Sequence, residues 1–336
     1  MENLIVVSTV TPVYSGAHYL ESLINEIDKV RSKWENSKCP LRILESIFVV
    51  DAAIDESEKV LLEMKKKFSW VKLLVLSKNY GQHPATIAGI LHTSGNWIIT
   101  LDEDLQHHPE QFEQLFIQVS KSSSDVVYAK SLNSVHNSWR RDLPAKTFKK
   151  IMSLFTGNKY IVDFNSFRLI RGEVARSAAS VCAHETYFDI AICWFTNRIA
   201  AVSFAMRDER FLKHGKSGYS FHRLLSHARR LLISSNQKYL RFGVFLGLFS
   251  IAISLFLSVF VLLQKLNNPG SISVQGWTSL ILTISFWGGI SSLFSSLILE
   301  VLGNISLHVQ GKPVFFVIDR SSDADLRAYF CEIDML

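Results

Sequence analysis

Two acidic side chains separated by one residue form the clearest chemical pattern in the sequence. Asp102 and Asp104 follow an apolar run that ends at Leu101. In an extended segment alternate side chains lie on the same side, so both carboxylates can approach one cation. Carboxylate oxygens suit Mg²⁺ or Mn²⁺, which commonly complete their coordination with water and substrate phosphates. The pattern therefore predicts a divalent metal that binds the diphosphate of a nucleotide.

A helix start offers an alternative explanation for the same carboxylates. Pro109 and Glu110 mark the beginning of a helix shortly after the acidic run. Asp is favourable near a helix N-terminus in any protein, because it accepts backbone hydrogen bonds there and interacts well with the helix dipole. The position directly after an apolar, strand-like run favours the metal site over a simple cap.

Neighbouring histidines could suggest zinc instead. His107 and His108 follow the acidic run, but adjacent histidines cannot easily chelate one ion, and companion ligands at zinc spacing are missing. The four cysteines form no C-x-x-C pair, which fits unpaired thiols in a reducing compartment. We therefore predict neither a zinc site nor a disulfide framework.

The elements that must position this site alternate between strand and helix. Apolar runs of strand length alternate with amphipathic stretches in the first 130 residues, which is typical of an α/β fold with a mostly parallel sheet. Ligands bind beyond the carboxyl ends of such strands, where the acidic run lies. The predicted strands are residues 4–10, 46–50, 71–76, 96–101 and 125–129, and the predicted helices are 17–33, 56–68, 83–92 and 109–119.

Two long uncharged segments near the C-terminus predict membrane spans. No charge occurs at residues 242–264 or at 266–299. A helix over the first segment would be roughly 34 Å long, which exceeds a hydrocarbon core of about 30 Å. A pair of buried helices in a soluble domain is the alternative, but a uniformly apolar surface without a polar stripe argues against it. We place the spans at residues 242–264 and 277–299.

Charge around these segments predicts their orientation. Met1 is not followed by the basic n-region of a signal peptide, so we expect no secretory signal. The loop between the two predicted spans carries only one charge, Lys265. By the positive-inside rule both termini are then cytoplasmic. The net charge of +6 has two possible explanations: a basic face that attracts anionic lipid and phosphate groups, or an ordinary solvated basic surface. Basic residues before the first span are His227, Arg229, Arg230, Lys238 and Arg241, and those after the second are Lys312 and Arg320.

A long stretch around the acidic pair resembles a known family. The run LSKNYGQHPATIAGILHTSGNWIITLDEDLQHHPE is similar to the central segment of family-2 glycosyltransferases that move a sugar onto a polyisoprenyl phosphate. These include dolichyl-phosphate mannose synthases and bacterial undecaprenyl-phosphate glycosyltransferases. The similarity continues through DVVYAK, FRLIRGEV, GKSGYS and LILEVLGNISLHVQGKPVFFV, and so covers most of the chain.

The resemblance implies a Rossmann-like domain that takes a nucleotide-sugar donor with Mg²⁺ or Mn²⁺ and transfers the sugar, with inversion, to a polyisoprenyl phosphate. It implies a multi-pass homo-oligomer in contact with the lipid of a bacterial inner membrane, with no nucleic-acid partner. The cytoplasmic transferase domain is then residues 1–238. Its nucleotide-sugar half is 1–130, and its acceptor and membrane-proximal half is 131–238. Spans follow at 242–264 and 277–299, and a cytoplasmic tail at 300–336.

The donor side of the site follows from matching positions in the family motif. The resemblance implies that Pro12 and Tyr14 line the nucleotide pocket and that Asp51 contacts the base or ribose. It implies that Asp102 and Asp104 serve the metal and the diphosphate, with Gln106 beside them. This is the charge arrangement expected where a diphosphate leaves, since a cation stabilises the negative charge that develops.

The acceptor side would need cations, because a phosphate acceptor is already ionised and no general base is obligatory. The resemblance implies that Arg168, Arg210, Lys216 and Ser217 hold this phosphate, with Asp104, Arg168 and Arg210 closest to the chemistry. Arg suits bidentate phosphate recognition, whereas Lys acts as a point charge. The structural alternatives are a core ion pair for Arg168 and a flexible turn for the GKSG segment.

The sequence departs from the family pattern in three places, one of which is the spacing from Arg210 to Gly215, two residues longer than usual. Val50 stands where family members carry an acid, and residues 52–54 replace a Gly-Ser-Thr type turn. Ser166 stands where the family has an acid before Phe-Arg. A family-2 transferase with another acceptor and a non-catalytic relative that binds nucleotide or lipid therefore stay open. A processive polysaccharide synthase is less expected, because the chain has two spans and lacks a Q-x-x-R-W motif.

Overall fold

A seven-stranded mixed sheet forms the centre of the protein. The structure, a computed structural model, describes residues 4–37, 39–131, 159–183, 186–204 and 313–318, with isolated positions between 256 and 309. The strands are β1 Ile5–Val13, β2 Leu41–Val50, β3 Val71–Val75, β4 Trp97–Thr100, β5 Val126–Ser131, β6 Arg168–Arg171 and β7 Ile199–Phe204. The helices are α1 Ala17–Asn36, α2 Ser57–Lys67, α3 Gln82–Leu91, α4 Phe112–Ser122, α5 Gly172–Val181 and α6 Phe188–Phe195, with 3-10 turns at Pro109–Gln111 and Lys159–Val162.

The strand order is β3-β2-β1-β4-β6-β5-β7. β3, β2, β1 and β4 run parallel, β6 is antiparallel to both of its neighbours, and β5 pairs in parallel with β7. All five predicted strands are confirmed, and so is a mostly parallel sheet between helices. β6 and β7 were not predicted.

Helices cover both faces of the sheet and enclose two main apolar cores. α1 buries residues at a helical spacing, from Leu20 to Trp34, so that one of its faces packs on the sheet. Side chains from α1, α2 and α4 share the first core. Side chains from α3, α5 and α6 share the second. The three-layer arrangement leaves the carboxyl ends of the parallel strands as the edge where loops can form a site.

A segment close to the C-terminus adds to the edge of this sheet. Val317 forms an antiparallel bridge with Leu76, just beyond β3. The N–H of Ser77 donates to the carbonyl of Phe316 at 3.0 Å, and the N–H of Ile318 donates to the carbonyl of Val75 at 2.9 Å. Residues 313–318, which follow the predicted second span, therefore contact the N-terminal domain.

The predicted spans at 242–264 and 277–299 lie outside the described residues, apart from isolated positions. Within the part of the chain that the structure describes, no helix combines the length and the apolar character needed to cross a bilayer.

Candidate active site

Three neighbouring parallel strands deliver their following loops to one edge of the sheet. β1 lies between β2 and β4, so the loops that begin at Tyr14, Asp51 and Leu101 are adjacent. The N–H of Asp51 donates to the carbonyl of Val13 at 2.9 Å, and the N–H of Ile54 donates to the carbonyl of Tyr14 at 3.1 Å. The first two loops are therefore tied together directly after their strands end.

Glu103, the residue between the two predicted metal ligands, holds the loop after β1. Its carboxylate accepts hydrogen bonds from the N–H of Tyr14 at 2.9 Å and from the N–H of Ser15 at 3.2 Å. Gly16 allows this approach, since a Cβ there would lie 2.6 Å from Oε2 of Glu103. The acidic run thus fixes the loop that begins at Tyr14, directly after the end of β1 where Pro12 lies; both residues are predicted to line the nucleotide pocket. Sequence reasoning missed Glu103, although its place inside the D-E-D run was the available signal.

Asp102 is held by two neutral donors. Nε2 of Gln82 donates to its Oδ1 at 2.7 Å, and Oγ of Ser166 donates to its Oδ2 at 2.7 Å. The side chain is 27% exposed. Because neither donor is charged, these hydrogen bonds fix the carboxylate while its negative charge stays available to a ligand.

Asp104 lies deeper, at 7% exposure, and shapes the turn that follows. Its Oδ1 accepts the N–H of Gln106 at 3.3 Å, while Leu105 between them adopts a left-handed conformation with φ 59°. A side-chain oxygen that bonds the backbone two residues on is a common way to stabilise such a turn. Gln106 therefore lies beside Asp104, and its predicted place next to the diphosphate stays a prediction.

The donor chemistry of Asp102 and Asp104 fits a hard divalent cation. Mg²⁺ in proteins is commonly held by one or two carboxylates, with water and substrate phosphates in the remaining positions. Over the described ranges, no group of three or more His, Cys, Asp or Glu residues is placed to hold a metal by itself. A cation bound here would share its coordination between the two carboxylates and a phosphate-bearing ligand.

His107 packs against this site as a buried ring. It stacks on Phe167 with ring centroids 4.8 Å apart. Burial lowers the pKa of His107 below its ordinary value, even though Asp102 and Asp104 act in the opposite direction. Its Nδ1 lies 3.5 Å from the backbone nitrogen of Asp102, at the limit of a long hydrogen bond from that N–H. The 3.8 Å separation between Nδ1 and Oδ2 of Asp102 is longer than a hydrogen bond.

Asp51 anchors a third loop. Its two carboxylate oxygens accept the N–H groups of Tyr80 and Gly81, each at 2.7 Å, and the residue is 3% exposed. Gly81 has φ 96°, a conformation that strongly favours glycine. Asp51 thus positions the turn that leads into α3 and Gln82. Its predicted contact with a base or ribose stays a prediction.

Asp55 and Ser57, which follow the turn at residues 52–54 that departs from the family pattern, hold the loop after β1 in place. Asp55 Oδ2 accepts the N–H of Ala17 at 3.1 Å, and Ser57 Oγ accepts the N–H of Gly16 at 3.1 Å. Burial raises the pKa of Asp55, but hydrogen bonds from Ser57 and from the Ala17 N–H outweigh it and leave the pKa below its ordinary value. The turn at residues 52–54 is therefore still followed by an ionised carboxylate that caps α1.

Arg168 lies in a buried ion pair and not at the open edge. Its guanidinium bonds Asp189, which also accepts the hydroxyl of Tyr128 at 2.7 Å, and it lies over the ring of Phe188 at 4.9 Å. Arg168 is 3% exposed. This is the core ion pair that the sequence left as the alternative. Asp189 and Tyr128 were not predicted, because nothing local connects three residues so far apart in the chain.

The remaining predicted acceptor residues, Arg210, Lys216 and Ser217, lie outside the described residues. The structure therefore brings together Pro12, Tyr14, Asp51 and the acidic run at one edge, and it places Arg168 in the core.

Comparison with known proteins finds a matching family and similar proteins. The profile of the family described as glycosyl transferase family 2 matches residues 8–177, about half of the 336-residue chain. A bactoprenol glucosyl transferase of Shigella phage SfX is 25% identical over 94% of this chain and 99% of its own length. An undecaprenyl-phosphate 4-deoxy-4-formamido-L-arabinose transferase of Proteus mirabilis is 26% identical over 93% of this chain and 92% of its own.

A solved structure shows the same fold. Mannosyl-3-phosphoglycerate synthase from Rubrobacter xylanophilus aligns with a TM-score of 0.52 at 14% identity, over 72% of this chain and 75% of that one. At this identity the likeness establishes the fold alone.

Proposed function

Because this chain belongs to glycosyltransferase family 2, as its sequence predicted, we propose that it transfers a sugar from a nucleotide-diphosphate sugar to a polyisoprenyl phosphate. The observation that carries the proposal is the acidic loop, which holds the β1 loop through Glu103 and presents Asp102 at the same edge. The two relatives named for bactoprenol and undecaprenyl phosphate match this chain over nearly its full length, which supports the acceptor class.

Asp102 and Asp104 would hold Mg²⁺ or Mn²⁺, and a bound cation would stabilise the charge of the leaving diphosphate. The protein's own residues order the surroundings of that group. Glu103 orders the loop that contains Tyr14, and Asp51 orders the turn at Gly81. Nucleotide recognition by Pro12, Tyr14 and Asp51 is part of the proposal, and so is the place of Gln106 beside the diphosphate.

The proposed reaction balances without a protein base. An oxygen of the lipid phosphate attacks the anomeric carbon, the bond from that carbon to the diphosphate breaks, and the configuration inverts. The products are a sugar-phosphate lipid and a nucleoside diphosphate. A phosphate is already ionised at neutral pH, so no proton has to be removed. The hydroxyl of Ser166, where the family carries an acid, is compatible with this chemistry.

Arg210, Lys216 and Ser217 are the proposed phosphate-binding residues of the acceptor side. Arg168 is less suited to direct contact, since its guanidinium is already paired with Asp189 in the core. Its effect on the acceptor would be indirect, through the position of β6. A membrane-anchored transferase with a different acceptor is the second candidate, because this pairing removes one of the cations implied for a lipid phosphate.

We also propose that the enzyme lies at the cytoplasmic face of a bacterial inner membrane as a homo-oligomer, with spans at 242–264 and 277–299. Residues 204 and 313 both belong to segments attached to the same sheet, and this supports two spans, which together would return the chain to its original side of the membrane. Three of the isolated helical positions in the predicted spans are both apolar and exposed: Phe256 is 71% exposed, Ile284 63% and Leu299 67%. Such side chains are expected on a lipid-facing helix.

The test is transfer of radiolabelled sugar from a panel of UDP- and GDP-sugars to undecaprenyl phosphate, in detergent with Mg²⁺ or Mn²⁺. Label should enter the lipid extract with one donor, and should be lost with EDTA and in Asp104→Asn. Label that appears in a different acceptor supports the second candidate. A protein that binds nucleotide but transfers no sugar to any acceptor contradicts the enzymatic proposal.

A further inference from the structure

Three separate segments converge on the carboxylate of Asp102. Asp102 follows β4, Gln82 is the first residue of α3, and Ser166 lies two residues before β6. Each carboxylate oxygen receives one hydrogen bond at 2.7 Å, from Gln82 Nε2 and from Ser166 Oγ. We propose that Gln82 and Ser166 are positioning residues that hold Asp102 in the orientation that binds the divalent cation. The inference rests on the proposed metal site.

Ser166 is itself fixed by the central strands. Its carbonyl accepts the hydroxyl of Thr100 at 2.5 Å, and the side-chain amide of the preceding Asn165 donates to the carbonyl of Ala129 at 2.7 Å. Thr100 belongs to β4 and Ala129 to β5. The hydroxyl that bonds Asp102 is therefore carried by a segment attached to two strands, which limits the directions it can take.

Gln82 is fixed from the other side. Its own carbonyl accepts the hydroxyl of Thr86 at 2.8 Å within α3. The residue before it, Gly81, donates its N–H to the buried carboxylate of Asp51 at 2.7 Å. Gln82 therefore connects the predicted nucleotide-binding loops to the predicted metal ligand. This connection fixes the position of one part of the site relative to the other.

The chemistry of the two donors suits a metal ligand. A carboxylate has about four lone-pair positions, and one hydrogen bond on each oxygen leaves room for a cation. Amide and hydroxyl donors carry no charge, so they orient Asp102 without offsetting the attraction between carboxylate and metal. Partners of this kind commonly affect metal affinity by about 10–100-fold when they are removed.

The experiment measures Mn²⁺ binding directly, from the electron paramagnetic resonance signal of free Mn²⁺, on the full chain in detergent. Ser166→Ala and Gln82→Ala should each weaken Mn²⁺ binding about 10–100-fold. In the transfer assay both should need more Mn²⁺ for half-maximal activity, with a smaller change in kcat at saturating Mn²⁺. Ser166→Thr keeps the hydroxyl and should restore affinity, which a purely steric role of Ser166 would not produce.

The Asp102→Asn variant distinguishes a failure of the positioning role from a failure of the proposed metal site. If Asp102→Asn loses Mn²⁺ binding but both Ala variants, folded as judged by thermal unfolding, bind like the wild type, the positioning role is overturned and the metal site stands. If Asp102→Asn binds Mn²⁺ like the wild type, the metal site of the proposed function is overturned, and the positioning role with it.

Discussion

Replacing Glu103 by Gln tests whether the acidic run controls the nucleotide loop. Glu103 accepts the N–H groups of Tyr14 and Ser15, at 2.9 and 3.2 Å. Hydrogen bonds to a charged group contribute about 1.5–3 kcal/mol each, and the uncharged amide oxygen of Gln should weaken both, for a total loss comparable to one such bond. Because Tyr14 is 42% exposed, the lower end of that range applies. In the variant, nucleotide binding must restore the order that the loop has lost. This cost should weaken nucleotide affinity by roughly tenfold.

The assay is isothermal titration of wild type and variant with UDP and with GDP in the presence of Mn²⁺. Gly16→Ala is an independent route to the same change, since its Cβ would lie 2.6 Å from Oε2 of Glu103 and displace that side chain. Glu110→Gln is the control, because it removes an equal charge from an exposed position nearby. Wild-type nucleotide affinity in both Glu103→Gln and Gly16→Ala would refute the assignment of this loop to the nucleotide site.

Three further predictions concern stability. Ala52 has φ 50°, so Ala52→Gly should raise the free energy of unfolding by about 0.5–1 kcal/mol in chemical denaturation. Ile318→Pro removes a hydrogen bond to β3 and should lower the melting temperature, whereas Val317→Pro, whose N–H donates to no carbonyl of that strand, should change it less. The pKa of Glu45 is lowered overall: burial raises it, but hydrogen bonds from Lys72 and others outweigh this. Its stabilising effect is therefore present at neutral pH and lost in acid, so the stability gap between wild type and Glu45→Gln should close as the pH falls below about 4.5.

Much of the fold follows from local sequence pattern. The parallel strands are buried on both faces, so they read as continuous apolar runs, and α1 shows a helical apolar spacing. β6 was missed because it starts and ends with arginine, at Arg168 and Arg171. The buried Arg168 is stable there because Asp189 neutralises it, and that partner lies 21 residues away. A strand that depends on such a pairing cannot be found from periodicity.

The site also contains residues that a local sequence pattern reveals and residues that depend on contacts between distant segments. The place of Asp102 and Asp104 at the carboxyl end of β4 could be predicted, because acidic residues that follow an apolar run are visible in the sequence. Glu103 was treated as a spacer, since alternation places it on the opposite side from its neighbours. Ser166 was visible only as a departure from the family pattern, and its hydrogen bond to Asp102 required the antiparallel β6 to bring it next to β4.

The most direct test of the account is the identity of both products once a donor sugar is found. Enzyme, donor and undecaprenyl phosphate are incubated with Mn²⁺, and the lipid and nucleotide products are measured by mass spectrometry. We predict one nucleoside diphosphate released for each lipid that carries the sugar on a single phosphate. A nucleoside monophosphate together with a lipid that carries the sugar on a diphosphate would contradict the proposed displacement at the anomeric carbon.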